Sequence, residues 1–261
     1  MHRVVPFDKN YDQVRNLENT AFILLIISSI LIFSNWLLSK VFFGDTKVEI
    51  ETFLEIARCV SYVGTVLYLL INLLAKILFF IAEKRKRLDL IDHSFGTIYS
   101  NENTEGYYNN LETIPGVKKL AINSYESSFH TENNLKHLIY KNFMYLSIFS
   151  FPFLLSIFSK NGYEIVKLLF EISIPLTLFS QFVIMLIYYQ NVIEINERFK
   201  IELTNIGDKE IGHGDIAKLL IPVLEYYSIK AWANINLDSK IFLRYNKTIS
   251  EKWNKRKDNL R

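Results

Sequence analysis

A single cysteine, Cys59, stands in the whole chain, so no intramolecular disulfide can form and no zinc ribbon or CxxC redox pair can be assembled. Equally missing are GxGxxG, a Walker loop, HExxH and GxSxG, and with them the recognisable routes to nucleotide, metal-hydrolytic and acyl-transfer chemistry. The five histidines, His2, His93, His130, His137 and His213, have no spacing suited to a metal centre. Only His130 and His137, at i, i+7, can share a helix face, which is weak ground for a site. These absences argue against an enzyme and against a resident cofactor.

Half of the 261 residues are hydrophobic, 20 are Phe and 15 are Tyr. Mean hydropathy is positive at +0.13, an unusual balance for a water-soluble globule. Yet charged residues make up 22%. Polar and apolar material must therefore lie in separate blocks.

Four stretches are long enough to cross a bilayer as helices, which takes about 20 mostly apolar residues because lipid offers no partner to a bare peptide group. They are Asn19 to Ser39, Cys59 to Ala82 interrupted only by Lys76, the shorter Phe-rich Phe143 to Ser159, and Ile172 to Ile193. The first is too long for the apolar core of a signal peptide, and no small-residue cleavage site precedes Lys40. The expected fold is an all-α integral membrane protein of two transmembrane hairpins with a small, mainly helical cytoplasmic layer.

Basic residues near the span ends set the orientation. The hairpin connections hold Lys40, Lys47, Arg58, Lys160 and Lys167, whereas the opposite side holds Arg3, Lys9, Arg15, Lys84, Arg85, Lys86, Arg87, Lys136, Lys141, Arg198 and Lys200. The block Lys84, Arg85, Lys86 and Arg87 directly abuts a span and is the strongest anchor for a cytoplasmic assignment. Both termini are then cytoplasmic. In bacterial terms the location is the inner membrane.

The expected blocks are 1–82, N-terminus and first hairpin; 83–142, a cytoplasmic middle segment; 143–193, the second hairpin; and 194–261, a cytoplasmic helical tail. The outer connection around EIETFLEIA reads as an ordinary solvated connector in preference to a short amphipathic helix. The middle segment continues the second span as a helix through EKRKRLDLIDHSF, becomes a loop by composition at GTIYSNENTEGYYNNLETIPGV, and regains helical spacing near Lys118, with Leu120, Tyr125, Phe129, Leu135 and Leu138 as apolar contacts. In the tail, Val192, Ile195, Phe199 and Leu203 extend the fourth span until GDKEIGHGD stops it. A helix over about 216–234 contains Pro222, which either kinks it or marks its start. The last helix, about 239–257, sets Ile241, Phe242, Tyr245, Ile249 and Trp253 along one stripe. Its basic character suits either anionic headgroups or a solvated helix packed on its neighbours.

Polar residues inside spans are costly in lipid and face other helices or water. Asn72 and Lys76 in the second span, Ser150 in the third, and Ser180 and Gln181 in the fourth are the candidates for interhelical or pore-lining roles, with Thr65 beside them. Lys76 lies near enough to the basic block to snorkel towards headgroups. No array of acidic residues accompanies them, which disfavours an ion-coupled carrier. In the middle segment, Asp92, Phe95, Gly96, Tyr107, Tyr108, Asn109 and Asn110 combine rings, amides and a flexible glycine. Such a set grips a planar polar ligand by stacking and edge hydrogen bonds or builds a compact structural loop.

The order of two spans, a block reading RLDLIDHSFGT, EGYYNN and KKLAINSYESSFHT, two further spans and a helical tail resembles bacterial four-transmembrane pore-forming effectors of nucleotide-signalled antiphage defence. The resemblance covers most of the chain in layout, with its motifs confined to the middle segment. It implies a protein inert until an infection cue, then oligomerising and permeabilising the membrane. The implied partners are the lipid bilayer, further copies of the chain, and a cyclic nucleotide or a sensor protein, with no direct contact to nucleic acid. No sensor domain is recognisable, which leaves the source of the cue open.

Overall fold

The computed structural model describes residues 8–41, 47–100, 110, 113–157, 165–207, 209–237 and 239–260. Among the described residues there are six helices and no strand: α1 Asp8–Val41, α2 Lys47–Phe95, α3 Val117–Ile157, α4 Ile165–Ile206, α5 His213–Ala233 and α6 Ser239–Asp258. The helices run long because little interrupts them. Among the described residues, Gly64 is the one glycine in a helix interior. At 49 residues α2 rises through about 70 Å.

The stops of α2, α4 and α5 are glycines or asparagine in the left-handed region, where a residue without a Cβ, or with a short amide, sits at least cost. Gly96 (φ +72°) follows α2 and donates its N–H to the Asp92 carbonyl at 2.8 Å. Gly207 (φ +49°) follows α4 and donates to Leu203 at 3.0 Å, and Asn234 (φ +47°) follows α5 and donates to Lys230 at 3.1 Å. Lys118 Nζ, at the start of α3, donates to the Gly207 carbonyl at 2.6 Å.

One sequence expectation gives way to a longer helix, and another helix runs on past a change in composition. The connector around EIETFLEIA is helical from Lys47 and forms the first turns of α2. The helix regained near Lys118 does not end before Phe143; α3 continues through to Ile157, since no glycine or proline breaks residues 117–151. Pro222 lies inside α5, buried, rather than at its start.

Three helical segments among the described residues, Lys9–Ile32, Thr52–Phe95 and Leu176–Ile206, are long and apolar enough to cross a membrane. These overlap the first, second and fourth expected spans. The expected third span is helical as far as Ile157 but is not one of the three, and Phe158 and Ser159 lie outside the described residues.

The chain divides into two compact units. One comprises Gln13–Ile77 and Lys141–Val183, the other Met1–Asp12, Leu78–Tyr140 and Ile184–Arg261. In the first, α1 and α2 meet through small side chains. Ser28 Oγ lies where a Cβ on Gly64 would stand, only 2.4 Å from its ideal position, so the absence of a side chain at Gly64 permits the approach. Ala21, Leu25 and Tyr68 pack beside this crossing, and Asn35 Nδ2 donates to the Leu54 carbonyl at 2.8 Å.

The second unit is organised around the N-terminal half of α3. Leu120, Ala121, Ile122, Tyr125, Phe129, Leu135 and Leu138 are buried, together with Val192, Ile195, Phe199 and Leu203 of α4, Leu219, Val223 and Tyr226 of α5, and Ile249 and Trp253 of α6. The Tyr125 ring stacks on Phe199 at 5.4 Å and meets the edge of Trp253 at 5.1 Å. The Arg256 guanidinium covers Tyr125 and Phe129 at 5.3 and 5.2 Å. Burial raises the Tyr125 hydroxyl to a pKa of about 12, with the Arg256 charge opposing it only in part. The apolar stripe of α6 thus faces protein, and His137 stacks on Tyr245 at 4.1 Å; the Phe242 side chain lies outside the described ones.

Candidate functional site

The exterior of the first unit is inverted relative to a water-soluble protein. Ile23, Ile30, Val63, Leu70, Leu73, Phe151 and Leu176 are each 56–61% exposed, while Ser28, Ser61 and Thr65 are enclosed. Contiguous apolar surface on this scale marks a lipid or protein contact. Two of these hydroxyls, Ser61 and Thr65, follow the rule for helices in an apolar medium, where a polar group turns to a backbone carbonyl. Thr65 Oγ1 donates to the Ser61 carbonyl at 2.8 Å, and Ser61 Oγ donates to Arg58 at 2.8 Å.

The interior of the second unit is polar to a degree that requires specific pairing, because each unpaired buried polar group costs about 1–3 kcal/mol. Lys230 Nζ of α5 stands 2.8 Å from Glu83 Oε2 of α2, and Tyr11 of α1 donates its hydroxyl to Glu83 Oε1 at 2.7 Å. The Lys230 ammonium also lies 5.9 Å from the Tyr226 ring, whose hydroxyl is 2.9 Å from Thr131 Oγ1. A second group surrounds Asn110. Its amide donates to Asn123 Oδ1 at 2.8 Å and to Glu126 Oε2 at 3.1 Å, and Asn123 donates in turn to Ser94 Oγ at 3.2 Å. In the third group, Ser128 donates to Asn196 Oδ1, whose amide nitrogen donates to Glu132 Oε2 at 2.6 Å. Every group includes α3, so this helix is the polar hub of the unit.

The residues singled out from sequence distribute unequally. Asp92 organises its own loop: Thr97 Oγ1 and the Tyr99 N–H each donate to Oδ1 at 2.7 Å, and the Ser100 N–H donates to Oδ2 at 2.6 Å. Gly96 is the turn that makes this possible, and Phe95 is exposed. Asn110 is fully enclosed and belongs to the hub. Tyr107, Tyr108 and Asn109 lie outside the described residues. Asn72, Lys76, Ser150 and Gln181 are half-buried and Ser180 is exposed, all within the first unit. In the anchor block, Lys84 and Arg85 are exposed and Lys86 and Arg87 half-buried, with Lys86 Nζ 5.6 Å from the Tyr11 ring. Among the described residues, no group of three or more His, Cys, Asp or Glu side chains is placed to hold a metal ion.

Sequence reasoning missed Glu83, Asn123, Glu126, Ser128, Asn196 and Lys230. One signal was present. Residues 121–134, AINSYESSFHTENN, contain no Lys or Arg, whereas a solvated helix face is normally rich in long charged side chains. Short hydroxyls and amides in their place suit a helix enclosed by others. No family model, no curated protein and no solved structure matches this chain.

Proposed function

We propose that this protein is a bacterial inner-membrane effector, not an enzyme, which on activation oligomerises and permeabilises the bilayer in antiphage defence. In this reading four spans form two hairpins, with both termini cytoplasmic and the second unit as the part that receives the cue. The observation that carries it is the inverted surface of the first unit, with apolar side chains outside and hydroxyls within. The basic block at Lys84–Arg87 supports the orientation, and the resemblance in layout supports the role. The test is expression with the natural genomic neighbours under phage challenge, with membrane potential followed by a voltage-sensitive dye. Depolarisation before lysis is the expected result; protection with an unchanged potential overturns the reading.

A second reading rests on the paired polar interior of the second unit. A membrane-anchored binding or scaffold protein would use that unit to dock a partner or a small nucleotide, with the helices of the first unit as an anchor only. Replacing those helices by an unrelated anchor separates the two readings: retained function supports the scaffold and defeats the pore.

A further inference from the structure

The outward residues of α4 change character within one turn. Leu186 and Ile187 are exposed apolar side chains, and the next positions at helical spacing are Asn191, Glu194 and Arg198. With Glu225, Ser228 and Trp232 of α5, these three line an open pocket of about 360 Å³. The lining carries both signs. Arg198 pairs with Glu225, and both are about half exposed. Asn191 donates its amide nitrogen to the Ile187 carbonyl at 2.8 Å, which leaves the amide oxygen as an acceptor. Glu194, one turn before Arg198 on α4, supplies a second carboxylate to the lining. In the same lining the Trp232 indole is 54% exposed, a large open area for that side chain.

We infer that this pocket holds the headgroup of an aminophospholipid, a phosphate ester bearing a primary ammonium. The ammonium sits against the Glu194 carboxylate and the Trp232 ring, which attract it by charge and by the ring quadrupole. Arg198, shared with Glu225, meets the phosphate. The acyl chains continue along the exposed apolar side chains of α4, Leu186 and Ile187. Two carboxylates against one guanidinium disfavour a purely anionic headgroup, and a half-exposed tryptophan where a helix surface turns from apolar to polar is the usual marker of headgroup depth. The adjoining apolar surface selects a lipid over a free solute. The inference rests on the membrane reading above, since it needs α4 to leave the hydrocarbon near Asn191.

The test is native mass spectrometry of the full chain in detergent micelles, titrated with phosphatidylethanolamine, phosphatidylcholine or phosphatidylglycerol. Phosphatidylethanolamine is expected to be retained about threefold to tenfold better than either of the others. Glu194→Gln, which keeps the shape, and Trp232→Ala are each expected to abolish that preference, whereas Trp232→Phe keeps it. Retention that does not distinguish phosphatidylethanolamine from the other two, or a preference that survives Glu194→Gln, overturns the assignment. Soluble glycerophosphoethanolamine retained as well as the lipid assigns the pocket to a free solute and overturns the lipid source. Recovery of the protein from cells without detergent defeats the membrane reading itself, and is thereby distinguishable from a failure of headgroup selection.

Discussion

The ammonium of Lys230 and the carboxylate of Glu83 face each other at 2.8 Å with both side chains less than one-tenth exposed. Tyr11 completes the carboxylate through its second oxygen, so residues from three separate parts of the chain meet at one ion pair. Removing one partner leaves an uncompensated buried charge, which costs about 3–5 kcal/mol. Lys230→Met and Glu83→Gln are therefore each expected to lower the thermal midpoint in detergent sharply. The double variant should recover a large part of that loss, and a purely additive double variant would show that the two groups are not coupled.

At the α1–α2 crossing, the ideal Cβ position of Gly64 lies 2.4 Å from Ser28 Oγ. The obstacle is the end of a side chain that can rotate, so Gly64→Ala is expected to be mild and Ser28→Ala to relieve it. Gly64→Leu forces the helices apart and is expected to cost about 1–3 kcal/mol or more. Thermal unfolding of the three variants in one detergent checks the order.

Asn123 both accepts from Asn110 and donates to Ser94. Asn123→Leu removes both bonds and leaves the Asn110 amide short of one acceptor, at an expected cost of about 1–3 kcal/mol. Amide exchange should accelerate around residues 94–100 and 113–116 while α6 stays protected. Uniform acceleration through the second unit would contradict the local role.

Trp253 fastens α6 to Tyr125 and Phe129, with ring centroids 5.1 and 5.9 Å away. Trp253→Ala is expected to cost about 3–5 kcal/mol and to open α6 to limited proteolysis between residues 239 and 258. Unchanged resistance to protease would place the anchoring of α6 elsewhere, in Ile249 or in the Arg256 contacts.

Much of the helical layout was legible along the chain. The stop of α2 near Phe95 and of α4 near Gly207 are written in glycines at the end of periodic apolar positions, and the stripe of α6 is legible by spacing alone. The continuity of α3 was not, because a change from polar to apolar composition near Phe143 resembles a boundary although nothing in the backbone chemistry requires one. The start of α2 at Lys47 was hidden for the same reason: EIETFLEIA is charged enough to pass as a connector, and the bond that Asn35 makes to the Leu54 carbonyl is not legible along the chain. Of the candidate ligand residues, Asp92 and Gly96 are explained by their own loop, whereas Asn110 is explained only by distant partners.

Composition and hydropathy order by themselves determined that the chain is helical and carries segments apolar enough for a bilayer, because peptide groups in such runs must bond within their own helix. Which buried polar side chain pairs with which was decided by tertiary structure alone. Glu83 with Lys230, Ser128 with Asn196 and Ser28 with Gly64 are each joined across long stretches of sequence. A buried amide or carboxylate is tolerated only where the fold delivers its partner, and no local pattern records that delivery.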